Sequence, residues 1–259
     1  MVGVAADLLS TDASLRLHAV EMIAARGDGA IPELPSLVDL LGDPDRRVQR
    51  RVGEVLASAV GCDDAVASMV DGLLASDRAA VRWGAAFCQA RAGRASPEAC
   101  AVWIDHLASA DRDLRWAAHQ LLVEYAPRVG ESAIAAVCRA ASDGDAERRK
   151  MALYCLRDLG LASDSNASLA VAALAADDIG VRLAALAALP VLAVDPEDAA
   201  RVLCPYLDDA DPRMRRATAA ALGRLPRLGA TASEALQLAA QSPDAALSRA
   251  ARAALAAAG

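Results

Sequence analysis

The sequence predicts an all-α chain built from about eight copies of one helical hairpin, and three observations lead there. Of 259 residues, 55% are hydrophobic but only 3% aromatic, and the apolar excess is Ala and Leu, both strong helix formers. A dipeptide anchor returns at Leu15-Arg16, Val48-Gln49, Val81-Arg82, Leu114-Arg115, Arg148-Arg149, Val181-Arg182, Met214-Arg215 and Leu247-Ser248, in steps of 33 residues with a single step of 34. An Asp stands three residues before seven of these eight anchors: Asp12, Asp45, Asp111, Asp145, Asp178, Asp211 and Asp244; in the third copy it stands one place earlier, at Asp77.

Each copy reads the same way from its Asp onward. The carboxylate can accept the free N–H groups of a first helical turn, so it is an N-cap, and Pro212 follows at the favoured position just inside. A helix of about four turns comes next. Its fourth residue after the anchor is Ala19, Val52, Ala85, Ala118, Ala152, Ala185, Thr218 or Ala251, and its eighth, in every copy but the third, is Ile23, Leu56, Leu122, Leu156, Leu189, Leu222 or Leu255. With the anchor these positions form one apolar stripe whose small members imply close approach to another helix. Gly27, Gly61, Gly93, Gly160 and Gly259 stand where a C-terminal glycine stops a helix. A second, shorter apolar segment precedes the next Asp, as in "ELPSLVDLLG", "ACAVWIDHLAS", "SAIAAVCRAAS" and "DAARVLCPYLDD". Each unit is therefore a helical hairpin. Local irregularity is expected at Arg148, which takes an apolar position, at Pro190, which should end or kink its helix, and at "YAPRVGES", which holds the extra residue.

The segments "DPDRRVQRRVGEVL", "DIGVRLAALAALP" and "DPRMRRATAAALGRL" resemble the second half of HEAT repeats, in particular the short bacterial kind also found in bilin-lyase-like proteins. Ankyrin repeats share the 33-residue period, but their TPLH-type turn is absent, as is the Trp/Gly/Tyr pattern of tetratricopeptide units. The resemblance spans nearly the whole chain. It implies a right-handed α-solenoid whose first helices form the convex side and whose anchor-bearing second helices line the concave side. Such hairpins gain stability by stacking, so residues 1–259 are read as a single domain.

Charge and side-chain chemistry narrow the function. The formal net charge of −7, with Lys150 the only lysine, provides no general attraction for nucleic acid or an anionic membrane, so neither is an expected partner. The start "MVGVAADLLSTD" lacks a basic n-region, and no stretch approaches the roughly 18 apolar residues of a membrane span; the expectation is a cytoplasmic protein. Six cysteines form no CxxC pair and none has zinc-finger spacing to a histidine, so neither a metal site nor a cofactor is expected. Cys88 and Cys155, and likewise Cys138 and Cys204, share repeat positions with aliphatic residues and read as core. His18, His106 and His119 lie in different registers, and no His-Glu dipeptide of the HEAT-type di-iron hydroxylases occurs. "RRVQRR" is a local basic cluster, read as a solvated helix face. The pairs Asp12/Arg16, Asp111/Arg115, Asp145/Arg149, Asp178/Arg182 and Asp211/Arg215 have the i, i+4 spacing of helix ion pairs, and the resemblance implies that such a ladder also ties neighbouring repeats.

One patch stands out. Positions two, five, six and nine after the anchor point away from the apolar stripe, and in copies three to five they hold Trp83, Ala86 and Phe87; Trp116, His119 and Gln120; and Lys150, Leu153, Tyr154 and Arg157. Four of the seven aromatic residues fall here. The expected function is a non-catalytic scaffold or adaptor that holds a partner protein or peptide in its concave groove, with Trp83, Phe87, Trp116 and Tyr154 as anchors and His119, Gln120, Lys150 and Arg157 as polar contacts. The opposing reading is that these side chains pack on one another. No carboxylate pair, triad or metal cluster indicates a catalytic residue. The alternatives are an enzyme or small-molecule binder resembling HEAT-type bilin lyases, and a HEAT-like DNA glycosylase, which the acidic balance and the lack of a carboxylate in the patch disfavour.

Overall fold

The aspartates begin the helices as the sequence predicts. In the computed structural model, which describes residues 2–257, the side chains of Asp12, Asp45, Asp111, Asp145, Asp178, Asp211 and Asp244 each accept a hydrogen bond from a backbone N–H two or three residues on. The helices behind them are α2 (Ala13–Ala24), α3 (Arg46–Val60), α7 (Arg112–Val129), α9 (Ala146–Leu159), α11 (Ile179–Leu192), α13 (Pro212–Leu222) and α15 (Ala245–Ala257). The third copy is the exception. Its helix, α5 (Ala79–Arg91), has Arg78 at the cap with no capping side-chain bond, because Asp77 stands one residue too early.

Between these lie the partner elements of each hairpin: α1 (Val2–Leu8), a 3-10 helix Gly27–Gly42, α4 (Asp64–Leu73), α6 (Pro97–His106), α8 (Glu131–Asp143), α10 (Asp164–Ala173), α12 (Pro196–Leu203) with a 3-10 turn Cys204–Asp208, and α14 (Ala230–Ala239). The described residues contain no strand. The second copy departs from the expected α-helix because Pro32 and Pro35 interrupt its segment, each removing a donor that an α-helix needs. Pro205 has the same effect after α12. The extra residue of "YAPRVGES" is absorbed by lengthening α7 to 18 residues, with Pro127 inside it. Pro190 does not end α11, which continues to Leu192. Gly160 adopts the left-handed conformation expected of a helix stop, with φ 66°, whereas Gly61 stays right-handed at φ −74°; Gly259 lies outside the described residues.

The chain divides into two compact units, one reaching to Trp103 and including Glu124–Ala133, the other comprising Ile104–Val123 and the residues from Ile134 onward. In the first, α3 packs between α2 and α5, with the 3-10 helix against all three. Its core includes Ile23, Leu37, Leu41, Val48, Val52 and Leu56. In the second, α9, α11, α13 and α15 form one row, and α10, α12 and α14 pack on it as another. Small residues set the spacing within the row. A Cβ placed on Gly223 would come within 2.7 Å of the Cβ of Ala254, so α13 and α15 meet there nearly backbone to backbone.

The residue after each anchor performs the same task in every copy: it donates to a backbone carbonyl of the turn or helix end before its own helix. Arg16 reaches Ser10 O and Thr11 O, Arg82 reaches Ser76 O and Asp77 O, Arg115 reaches Ser109 O and Ala110 O, and Arg215 reaches Asp209 O and Ala210 O. Gln49, Arg149, Arg182 and Ser248 instead reach Leu41 O, Ala141 O, Leu174 O and Ala240 O, each eight residues back. The carbonyls left open at a helix end thereby find donors.

The expected i, i+4 ion pairs give way to longer ones. Arg16 makes a bidentate pair with Asp43 at 2.7 and 2.8 Å, Arg215 binds Asp244 at 2.8 Å, and Arg182 binds Asp209. Arg115 reaches Glu147 at 3.0 Å. Each of these arginines reaches instead an acidic side chain ahead of, or within the first turn of, the next anchor-bearing helix. The Arg16–Asp43 pair is buried, and Asp43 also accepts from the N–H of Asp45. Arg16→Ala therefore leaves a buried carboxylate without its counter-ion and is expected to lower the melting midpoint by about 5–10 °C. Arg47→Ala, which removes an exposed pair with Asp45, should move it by no more than about 2 °C; equal shifts in a thermal melt monitored by circular dichroism would refute the assignment.

Candidate functional site

The eight residues of the predicted patch separate into two groups. Trp83 and Phe87 lie in the first unit, where they belong to the packing: Trp83 is only 8% exposed, and the Phe87 ring covers Gly53 of α3 so closely that a Cβ there would meet it at 2.9 Å. Along α5 the residues at 83 to 86 and 88 to 90 are all buried, so its apolar surface is far wider than the stripe at helical spacing. Ala86, and Leu153 in the second unit, are likewise fully buried rather than surface-facing.

The other six lie in the second unit, on α7 and α9. Trp116 is 41% exposed. Its ring stands edge-on to His119, with centroids 5.2 Å apart and planes at 76°. His119 is buried and sets its Nε2 3.0 Å from Asp158 Oδ2. Asp158 accepts from Arg157 Nε at 2.6 Å, and the Arg157 guanidinium lies 5.0 Å over the Tyr154 ring. A second link runs beside it: Glu147 takes Arg115 from α7 at 3.0 Å and Lys150 from its own helix at 2.6 Å. Gln120 is exposed, and Lys150, Tyr154 and Arg157 are half-buried.

The electrostatics follow from these contacts. Burial pushes the His119 imidazole below its ordinary range, against the opposing pull of Asp158. Burial also works to raise the Asp158 carboxyl, but hydrogen bonding and charge from Arg157, with His119 beside it, outweigh that, and the net displacement is downward. Asp158 is thus an anion beside a buried imidazole whose ring meets Trp116 edge-on. Sequence spacing could have found the Glu147–Lys150 contact, an i, i+3 pair; the roles of Asp158 and Arg115 depend on contacts between helices.

Burial raises the Cys155 thiol of α9, as it does those of Cys88, pushed up to about 12, and Cys100, pushed up to about 11. Among the described residues no group of three His, Cys, Asp or Glu side chains could hold a metal ion, and no helix is long and apolar enough to cross a membrane. A cleft of about 320 Å³ lies in the first unit, walled by Val4, Ala5, Leu8, Ile23 and Pro32, and its charged groups, Arg26 and Glu33, pair with each other.

No known family profile and no curated protein matches this chain. Solved structures do. YibA of Escherichia coli is 16% identical with a TM-score of 0.56, over 98% of this chain and 91% of its own. An engineered protein matches at 20% identity and a TM-score of 0.48, over 98% and 77% of the two chains; human deoxyhypusine hydroxylase matches at 17% and 0.40, over 98% and 94%. The likeness to YibA fits a HEAT-like helical repeat fold.

The buried imidazole gives a pH test with a definite sign. The unfolded chain takes up a proton near pH 6.5 that the folded His119 resists, so folding stability contributed by this site is present above about 6.5 and declines as pH falls below it. The decline is expected at up to about 1.4 kcal/mol per pH unit. His119→Gln should flatten urea midpoints measured between about pH 7 and 5.5; a variant with the wild-type slope would show that the imidazole is not held neutral.

Proposed function

We propose that this protein is a non-catalytic, cytoplasmic scaffold or adaptor of the HEAT-repeat kind, which holds a partner protein or peptide against the α7–α9 surface of its second unit. Trp116 carries this reading: a large aromatic ring, 41% exposed, stands edge-on against the buried ring of His119. An anchor ordered before binding loses little further freedom on contact, and tryptophan is the residue most enriched among interface hot spots. Tyr154 extends the apolar contact beside it, and Gln120, Lys150 and Arg157 supply polar ones. Trp83, although it stands at the same place after its anchor as Trp116, is buried in the first unit, where the Phe87 ring covers Gly53.

The test is affinity capture from the native host followed by titration of the captured protein. Trp116→Ala should weaken binding by about 2 kcal/mol, near thirtyfold, with unchanged helicity. Trp83→Ala should instead lower the melting midpoint, since it empties a buried site. Undiminished affinity in a folded Trp116→Ala variant would remove this surface from consideration.

A further inference from the structure

Charge in the second unit is sorted by row. Helices α11, α13 and α15 contain no Asp or Glu, and neither does the link 223–229 after α13. The acidic side chains of the same stretch lie on the other row, as Glu197 and Asp198 on α12 and Glu234 on α14, or at helix starts, where Asp178 and Asp211 accept first-turn amides and Asp209 and Asp244 receive Arg182 and Arg215. Arg216, Arg224, Arg227 and Arg249 are exposed and have no acidic side chain within 4 Å among the described residues. From Pro212 onward the sequence has seven arginines and two acidic residues; the other 20 basic and 32 acidic residues precede it. A chain of net charge −7 thus ends in a segment of +5.

We propose that the α13–α15 face binds a short acidic peptide segment of a partner protein, through Arg216 and Arg249. Arg216 and Arg249 each stand two residues after their anchors, on helices that meet at the Gly223–Ala254 contact. The surface between them is formed by half-buried Ala217, Ala220 and Ala250, shallow enough for a backbone to lie across. Adjacent helices are about 8–10 Å apart, and an extended peptide advances about 3.3 Å per residue, so carboxylates at every third position meet guanidinium groups on both helices. Each guanidinium offers a fork that fits a carboxylate. A polynucleotide fits less well. Residues 207–259 contain no aromatic or histidine on which a base could stack, and the remainder of the chain, at −12, repels a long polyanion but not a short peptide confined to the cationic face. The inference stands independently of Trp116.

A fluorescein-labelled oligoglutamate peptide, followed by anisotropy with the full chain, provides the test. Binding is expected at low salt, is weakened by added salt, and is reduced about tenfold or more by the Arg216→Glu/Arg249→Glu double variant. Arg47→Glu/Arg50→Glu makes the same change in net charge on exposed side chains of α3 and should leave it within about twofold. If the reversal variant loses helicity, Arg216→Gln/Arg249→Gln replaces it with the same expectation of loss. No binding by the wild type, equal loss in both double variants, or tighter binding of a DNA duplex than of the peptide would each overturn the proposal.

Discussion

Stacked helical hairpins bury the ends of their helices, and a buried carbonyl without a donor is costly. One side chain per copy meets that constraint here. The residue after each anchor turns back onto the carbonyls ahead of its helix, and the rest of the repeat is arranged around it: in most copies the anchor residue before it is buried in the core, the Asp before that caps the first turn, and the loop between hairpin helices is held close to both. The substitutions at this position show what is required. Gln49 and Ser248 stand where most copies have Arg, and both still donate, to Leu41 O and Ala240 O. The requirement is a donor, not a charge.

Where the side chain is Arg, it can do a second thing. Its remaining N–H groups reach a carboxylate in the following copy, as from Arg16 to Asp43, Arg182 to Asp209 and Arg215 to Asp244. Two functions of one residue are thereby separable: a carbonyl bond present in all eight copies, and a forward bridge found only where the length of the guanidinium arm and an acidic neighbour coincide. Helix i, i+4 spacing suggested a local pairing for the same residues. The longer pairing takes its place, and capping alone does not occupy a carboxylate: Asp244 accepts first-turn amides and still receives Arg215.

Much of the fold was legible because its signals are local. A cap needs only the Asp and the two or three residues after it, and an apolar stripe needs only one helix. The candidate site was less legible, because exposure depends on neighbours. Trp83 and Trp116 occupy the same position after their anchors, yet one is 8% exposed and the other 41%. Helical phase alone assigns them the same direction. The difference lies in how much of each helix is covered, and α5 is buried on nearly every side. Proline supplied the other surprise, since Pro32 and Pro35 turn a segment with a helical apolar pattern into a 3-10 helix.

The alanine-rich composition has a consequence beyond helix propensity. Because no bulky side chain separates the last helices at their contact, Gly223 against Ala254 brings α13 and α15 close, and Arg216 and Arg249 are exposed on these two neighbouring helices. No acidic residue stands on α11, α13 or α15 beside them. Arg215, on the same helix, is relieved by Asp244, whereas Arg216, one residue further on, has no acidic partner within 4 Å among the described residues. A surface that keeps its positive charge unneutralised while the rest of the chain carries an acidic excess lowers its free energy by meeting negative charge from outside, which is the physical basis for assigning it an acidic partner.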